Sequence, residues 1–120
     1  MKSIKEWGHL APQWLRDAET EHEKVMILDN GHVIWHEGIW CSGDWHEGVW
    51  CSGDWIDGRW HGGVWLDGVW HDGVWYDGVW HDGIWHCGSW SSGYWIGGTW
   101  LGGTWFKFKN NSLPSSLIIQ

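Results

Sequence analysis

The chain has 120 residues, room for one domain, and 17 of them are Trp. Its formal charge is −8 at pH 7, and the segment 35–105 carries all of it, with nine carboxylates against Arg59 alone. A groove that tracks phosphates needs Lys and Arg, so this balance argues against a nucleic-acid partner and for a basic partner or for solubility alone.

Residues 1–24 read as an N-terminal helical cap. Pro12 suits a first helical position, and beyond it Trp14, Leu15, Ala18 and Val25 fall on one helical face. Glu19, Glu21 and Glu23 then face water, and the helix packs on the body or plugs an open end. Three cysteines, Cys41, Cys51 and Cys87, with no secretory leader and no long apolar run, point to a reducing cytoplasm and no transmembrane segment.

Residues 25–109 form the repeat domain. It opens on apolar residues 25–28, then Asn30-Gly31, then Val33-Ile34-Trp35, a strong hairpin signal. From Trp35 to Trp105 a Trp stands at every fifth position, and Gly follows three places after each of the first fourteen. Fifteen buried indoles would remove on the order of 3,000 Å² from water, so this low-complexity stretch is expected to fold. Asp-Gly favours a two-residue reversal, which leaves three residues per strand with Trp in the middle. The fold class expected is an all-β repeat protein. It is a meander of very short antiparallel strands with a Trp ladder on one face, closed into a shallow barrel, with a short N-terminal helix. Phe106-Lys107-Phe108-Lys109 would end it as an alternating edge strand. Residues 110–120 read as a tail, a turn or linker followed by apolar residues that dock on the body or on a neighbouring subunit.

The Gly-x-Trp spacing also resembles pentapeptide-repeat proteins, in units such as Gly73-Val74-Trp75-Tyr76-Asp77. That resemblance implies the alternative fold, a β-solenoid in which four units make one square coil and small and large residues both point inward. Gly38 to Gly43, with Trp40 between, is similar to the hairpin core of MORN repeats, whose leading Tyr and trailing Gly-x-Gly are missing here. That likeness implies a scaffold of hairpins and carries over no functional residue.

The meander sorts turn residues onto two rims. One receives Glu37, Glu47, Asp57, Asp67 and Asp77 and is a candidate docking row for a basic partner; the other receives Ser42, Ser52, Gly62, Asp72, Asp82 and Ser92. His61, His71 and His81 fall in one side row, and His36, His46 and His86 in the other, with neighbours ~9–10 Å apart. That spacing is too wide for a shared metal, and no metal or cofactor is expected. Cys41 and Cys51 sit two strands apart, beyond disulfide reach. Trp65, Trp70, Trp75 and Trp80 are the candidates for a Trp-lined cavity that stacks a small aromatic, cationic or sugar ligand. The leading functional expectation is a non-enzymatic structural or interaction module with a protein partner or self-association. The alternative is a small-ligand or carbohydrate-binding protein.

Overall fold

The computed structural model describes residues 1–109 and 113–117. Its first element, α1 (Ile4–Trp7), is a single turn held by a capping box, in which Glu6 N–H donates to Ser3 Oγ and Ser3 N–H donates to Glu6 Oε1. A 3₁₀ turn follows over Gly8–Leu10, and Pro12 caps α2 (Gln13–Arg16). The helix expected to reach Val25 ends there. From Glu19 the sequence alternates, and Val25 and Ile27 turn inward while Lys24 and Met26 turn out, so β1 (Glu19–Ile27) is a strand. The cap is thus two single α-helical turns joined by the 3₁₀ turn, which carry Ile4 and Leu15 into the core, and β1 begins within the segment 1–24.

The Asn-Gly hairpin forms as expected. β1 pairs antiparallel with β2 (Val33–Ser42), matching Met26 with Ile34 and Val25 with Trp35, and Gly31 at φ 84° takes the turn. Thirteen two-residue strands follow, from β3 (Asp44–Trp45) to β15 (Thr104–Trp105).

These strands do not meander. Each pairs in parallel with the strand fifteen residues away, as Trp60 with Trp75 and Trp75 with Trp90. Three five-residue units make one circuit of a β-solenoid of about five turns, its long axis within an envelope of 50 × 24 × 19 Å. The barrel is therefore replaced by a coil, and the solenoid alternative holds with three units per circuit instead of four. The MORN-like hairpin repeat does not occur among the described residues, because the repeat strands pair with one another in parallel and, of the strand pairs, only β1 with β2 is antiparallel.

The corner explains the outcome. A hairpin reversal of the Asp-Gly type needs positive φ at both residues. Here the repeat Gly lie at φ 100–131°, and no corner Asp has a positive φ. The chain therefore turns a third of a circuit and continues in the same sense. Asp72 Oδ1 accepts the N–H of its own corner Gly73 at 2.8 Å and fixes that bend. Backbone groups are satisfied between circuits: Val74 N–H donates to Gly58 O at 2.9 Å, and Tyr76 N–H to Trp60 O at 2.8 Å.

Three stacks of indoles fill the coil. Trp35, Trp50, Trp65, Trp80 and Trp95 line the first face, the stack from Trp40 to Trp100 the second, and the stack from Trp45 to Trp90 the third. Rings one circuit apart stack nearly parallel, as Trp60 on Trp75 at 4.8 Å and 5°. Consecutive rings meet edge to face, as Trp75 against Trp80 at 5.8 Å and 73°. Both geometries suit the aromatic quadrupole. Every indole from Trp35 to Trp85 has 0% exposure. Trp65, Trp75 and Trp90 donate Nε1–H to a carbonyl seventeen residues on. Among the described residues nine other buried indole N–H groups have no acceptor. Each costs ~1–3 kcal/mol, whereas burying an indole returns ~4–6 kcal/mol at ~25 cal/mol per Å², so burial decides.

The ends are closed differently. At the N-terminal end β1 lies along β2 and follows it around the first corner by a bulge at His22, whose φ is 55°. Trp14 meets Trp45 edge to face at 5.2 Å. At the C-terminal end Phe106-Lys107-Phe108-Lys109 is not a strand. Phe108 stacks on Trp90 at 5.0 Å, while Trp105 is 43% exposed. Leu117 packs on the core, and so does Leu113, which the sequence placed in the turn or linker; Ser116 Oγ donates to Trp100 O. The remainder of the tail, 110–112 and 118–120, lies outside the described residues.

Candidate functional site

With the repeat Trp from Trp35 to Trp100 turned inward, the residues on either side of each point outward, and each face of the coil carries two such columns. A column advances one circuit every fifteen residues, so its members stand ~4.8 Å apart. This spacing rearranges the sequence-derived sites, which assumed a ten-residue beat.

The carboxylate row is divided among three corners. Glu37 and Asp67 fall on the corner after the first face, Asp57 on the corner after the second, and Glu47 and Asp77 on the corner after the third. The opposite set disperses likewise, with Ser52 and Asp82 joining Glu37 and Asp67. Asp57, Asp67, Asp77 and Asp82 each accept the N–H of the Gly that follows, at 2.8–2.9 Å, so their first role is to set the corner. Asp77 also holds Lys109 Nζ at 2.8 Å, and that ammonium lies 5.9 Å from the Tyr94 ring centre. The hydrogen bond to Asp77 pushes the Lys109 pKa up.

Histidines regroup as well. His61, His71 and His81 stand on three different faces, not in one row. His71 stacks on His86 at 5.3 Å, and His46 lies 5.0 Å from His61. The third face thereby carries an outer aromatic file, Trp14 on His46, then His61, then Tyr76, at ring separations of 5.6, 5.0 and 5.0 Å. Beside it Arg59 grips Asp44 through Nε at 2.6 Å and Nη2 at 3.1 Å. Partial burial raises the Asp44 pKa, but hydrogen bonds from Arg59 and His61 outweigh it and hold the carboxyl below its ordinary value. These contacts were not legible at a ten-residue beat; the signal is the spacing of fifteen, as in His46–His61 and Asp44–Arg59. Among the described residues no group of three or more His, Cys, Asp or Glu is placed to hold a metal ion.

Cys41 lies on the second face and Cys51 on the first, so they stand on different faces instead of two strands apart on one sheet. All three cysteines are free thiols, and burial pushes the pKa of Cys41 and of Cys51 up. Trp65, Trp70, Trp75 and Trp80 lie inside the stacks at 0% exposure, so a ligand could reach them only by displacing packed rings. The hollows lie outside the core. A cleft of about 450 Å³ lies beside the N-terminal cap, lined by Lys5, His9, Arg16 and Glu23 among others. A notch of about 240 Å³ lies on the corner between the third and first faces, where Gly62 stands in place of a larger turn residue, with Asp77, Val79, Tyr94 and Lys109 around it.

Compared with family models, curated proteins and solved structures, the chain matches none. Among the described residues no helix is long and apolar enough to cross a membrane.

Proposed function

We propose that the chain is a non-enzymatic interaction module, working in a reducing compartment such as the cytoplasm and binding a protein partner through the outer faces of the solenoid. One observation carries this reading: the indoles, which a ligand-binding protein would use for stacking, are spent on the core at 0% exposure from Trp35 to Trp85. What remains for recognition is a set of flat faces. The solenoid lays equivalent residues out in lines, whereas catalysis needs unlike groups converging on one point. The free thiols support the choice of compartment.

Indole fluorescence tests the reading against the alternative of a small-ligand site. Emission is expected to be blue-shifted and unchanged by sugars, nucleotides or organic cations. A saturable shift with one of them would transfer the function to ligand binding.

A further inference from the structure

The three faces are not equivalent. Down the column before Trp, the first face carries Ile34, Val49, Val64, Val79 and Tyr94; the column after Trp carries His36, Cys51, Leu66, His81 and Ile96, and no Asp, Glu, Lys or Arg stands in either. The second and third faces interrupt theirs with Asp54, and with Asp44 and Arg59. β1 extends the first-face strip by one row, because Met26 pairs with Ile34. Leu66, Tyr94 and Ile96 are 38%, 41% and 53% exposed along it. Both edges are acidic: Glu37, Asp67 and Asp82 follow the face, and Glu47 and Asp77 precede it.

We propose that this strip is the docking site for an amphipathic α-helix of a partner protein, apolar along its centre and flanked by Lys and Arg. The proposal rests on the interaction-module reading and deepens it. Three observations select the occupant. Six rows at ~4.8 Å give a strip roughly 24 Å long, the length of a helix of roughly 16 residues. Its rows match the mean advance of ~5.3 Å between apolar residues at i, i+3 and i+7 of a helix, and not the ~6.7 Å between same-side residues of a strand. The strip's area, on the order of 300 Å², falls short of the ~800 Å² per partner of a stable dimer interface, and two copies would bring acidic edges together. The chain also displays the flanking contact in itself. Lys109 places its ammonium on the edge carboxylate of Asp77 and over the face residue Tyr94. A basic side chain of the docked helix makes the same contact at the other edge carboxylates.

The test uses the full chain and a synthetic 16-residue peptide of Leu and Lys with Leu at i, i+3, i+4 and i+7, next to a scrambled peptide of the same composition. The amphipathic peptide is expected to bind one to one, gain helicity on binding, and weaken as salt rises. The pair Val64→Asp with Val79→Asp should weaken binding tenfold or more. The pair Val69→Asp with Ile84→Asp, the same change on the second face, should alter it less than twofold. Unchanged indole emission checks that each variant folds, and a photo-crosslinking peptide on the unaltered chain should label first-face residues whether or not the variants fold. Equal weakening by both pairs, equal binding of the scrambled peptide, labelling on another face, or no binding would overturn the assignment while leaving the interaction-module reading in place. A chain that sediments as a dimer until the first-face charges are introduced would make a second copy the occupant and overturn it too. The interaction-module reading itself falls only to a ligand-dependent shift in indole emission.

Discussion

Two residue types hold this molecule together, and they do so for different reasons. Trp75 lies between Trp60 at 4.8 Å and Trp90 at 4.9 Å, meets Trp70 and Trp80 edge-on, and donates its N–H to Ser92 O. Trp75→Ala empties that space, and urea titration should show a loss of ~3–5 kcal/mol. A loss below ~1 kcal/mol would mean the site collapses around the gap or is not packed. Gly73 answers to the backbone. Its φ is 120°, and a Cβ there would overlap the carbonyl oxygen of Gly58, the acceptor for Val74 N–H. Gly73→Ala should cost at least ~1–3 kcal/mol. Gly62 is the internal control, because its φ is not positive and the nearest atom to an added Cβ is His46 O at 3.7 Å. Gly62→Ala should therefore stay within ~0.5 kcal/mol of the parent in the same titration.

The element of construction is the five-residue unit, and three of them make a circuit. Each unit contacts its sequence neighbours edge to face and the units fifteen residues away by stacking and main-chain hydrogen bonds. Stability in such a coil is close to a sum of unit and neighbour contributions. Deleting residues 56–70, one full circuit, preserves every column. Deleting residues 61–70 turns the downstream units by two faces but still sets Trp on Trp and Gly on Gly. Both chains should keep a cooperative melt and buried indole emission. Deleting residues 67–70 removes Asp67 and Gly68 of one corner together with the strand Val69–Trp70 and leaves a six-residue step from Trp65 to Trp75, so circular dichroism with emission should report a broken coil. A ten-residue deletion that abolishes folding while the fifteen-residue one does not would show that the outer columns, not the core, set the register.

At the scale of the whole molecule, charge and shape act together. Seven of the nine repeat carboxylates stand at the corners, the strip runs between two of those corners, and the net charge of −8 opposes the approach of a second copy at pH 7. As pH falls toward the pI near 5.4 that repulsion vanishes while exposed Leu66, Ile96 and Phe106 remain. Light scattering should rise between pH 8 and pH 5.4 and fall again on return. Scattering that ignores pH would mean that charge does not keep the copies apart.

The sequence by itself determined the five-residue beat, the burial of the Trp on one side of the ribbon, the Asn-Gly hairpin and the acidic corners. Each of these follows from contacts within a few residues, or from the cost of leaving indoles in water. It left open whether Asp-Gly reverses the chain or merely bends it, because both outcomes need Gly at positive φ and differ only at the Asp. Tertiary structure made that choice. Three indoles packed edge to face closed a circuit at fifteen residues, and this spacing set His71 on His86, Arg59 on Asp44 and Lys109 on Asp77, while it broke the imagined row from Glu37 to Asp77 into three. Which side chains share a face is a property of the closed circuit, and no local signal in the chain encodes the number of units that closes it.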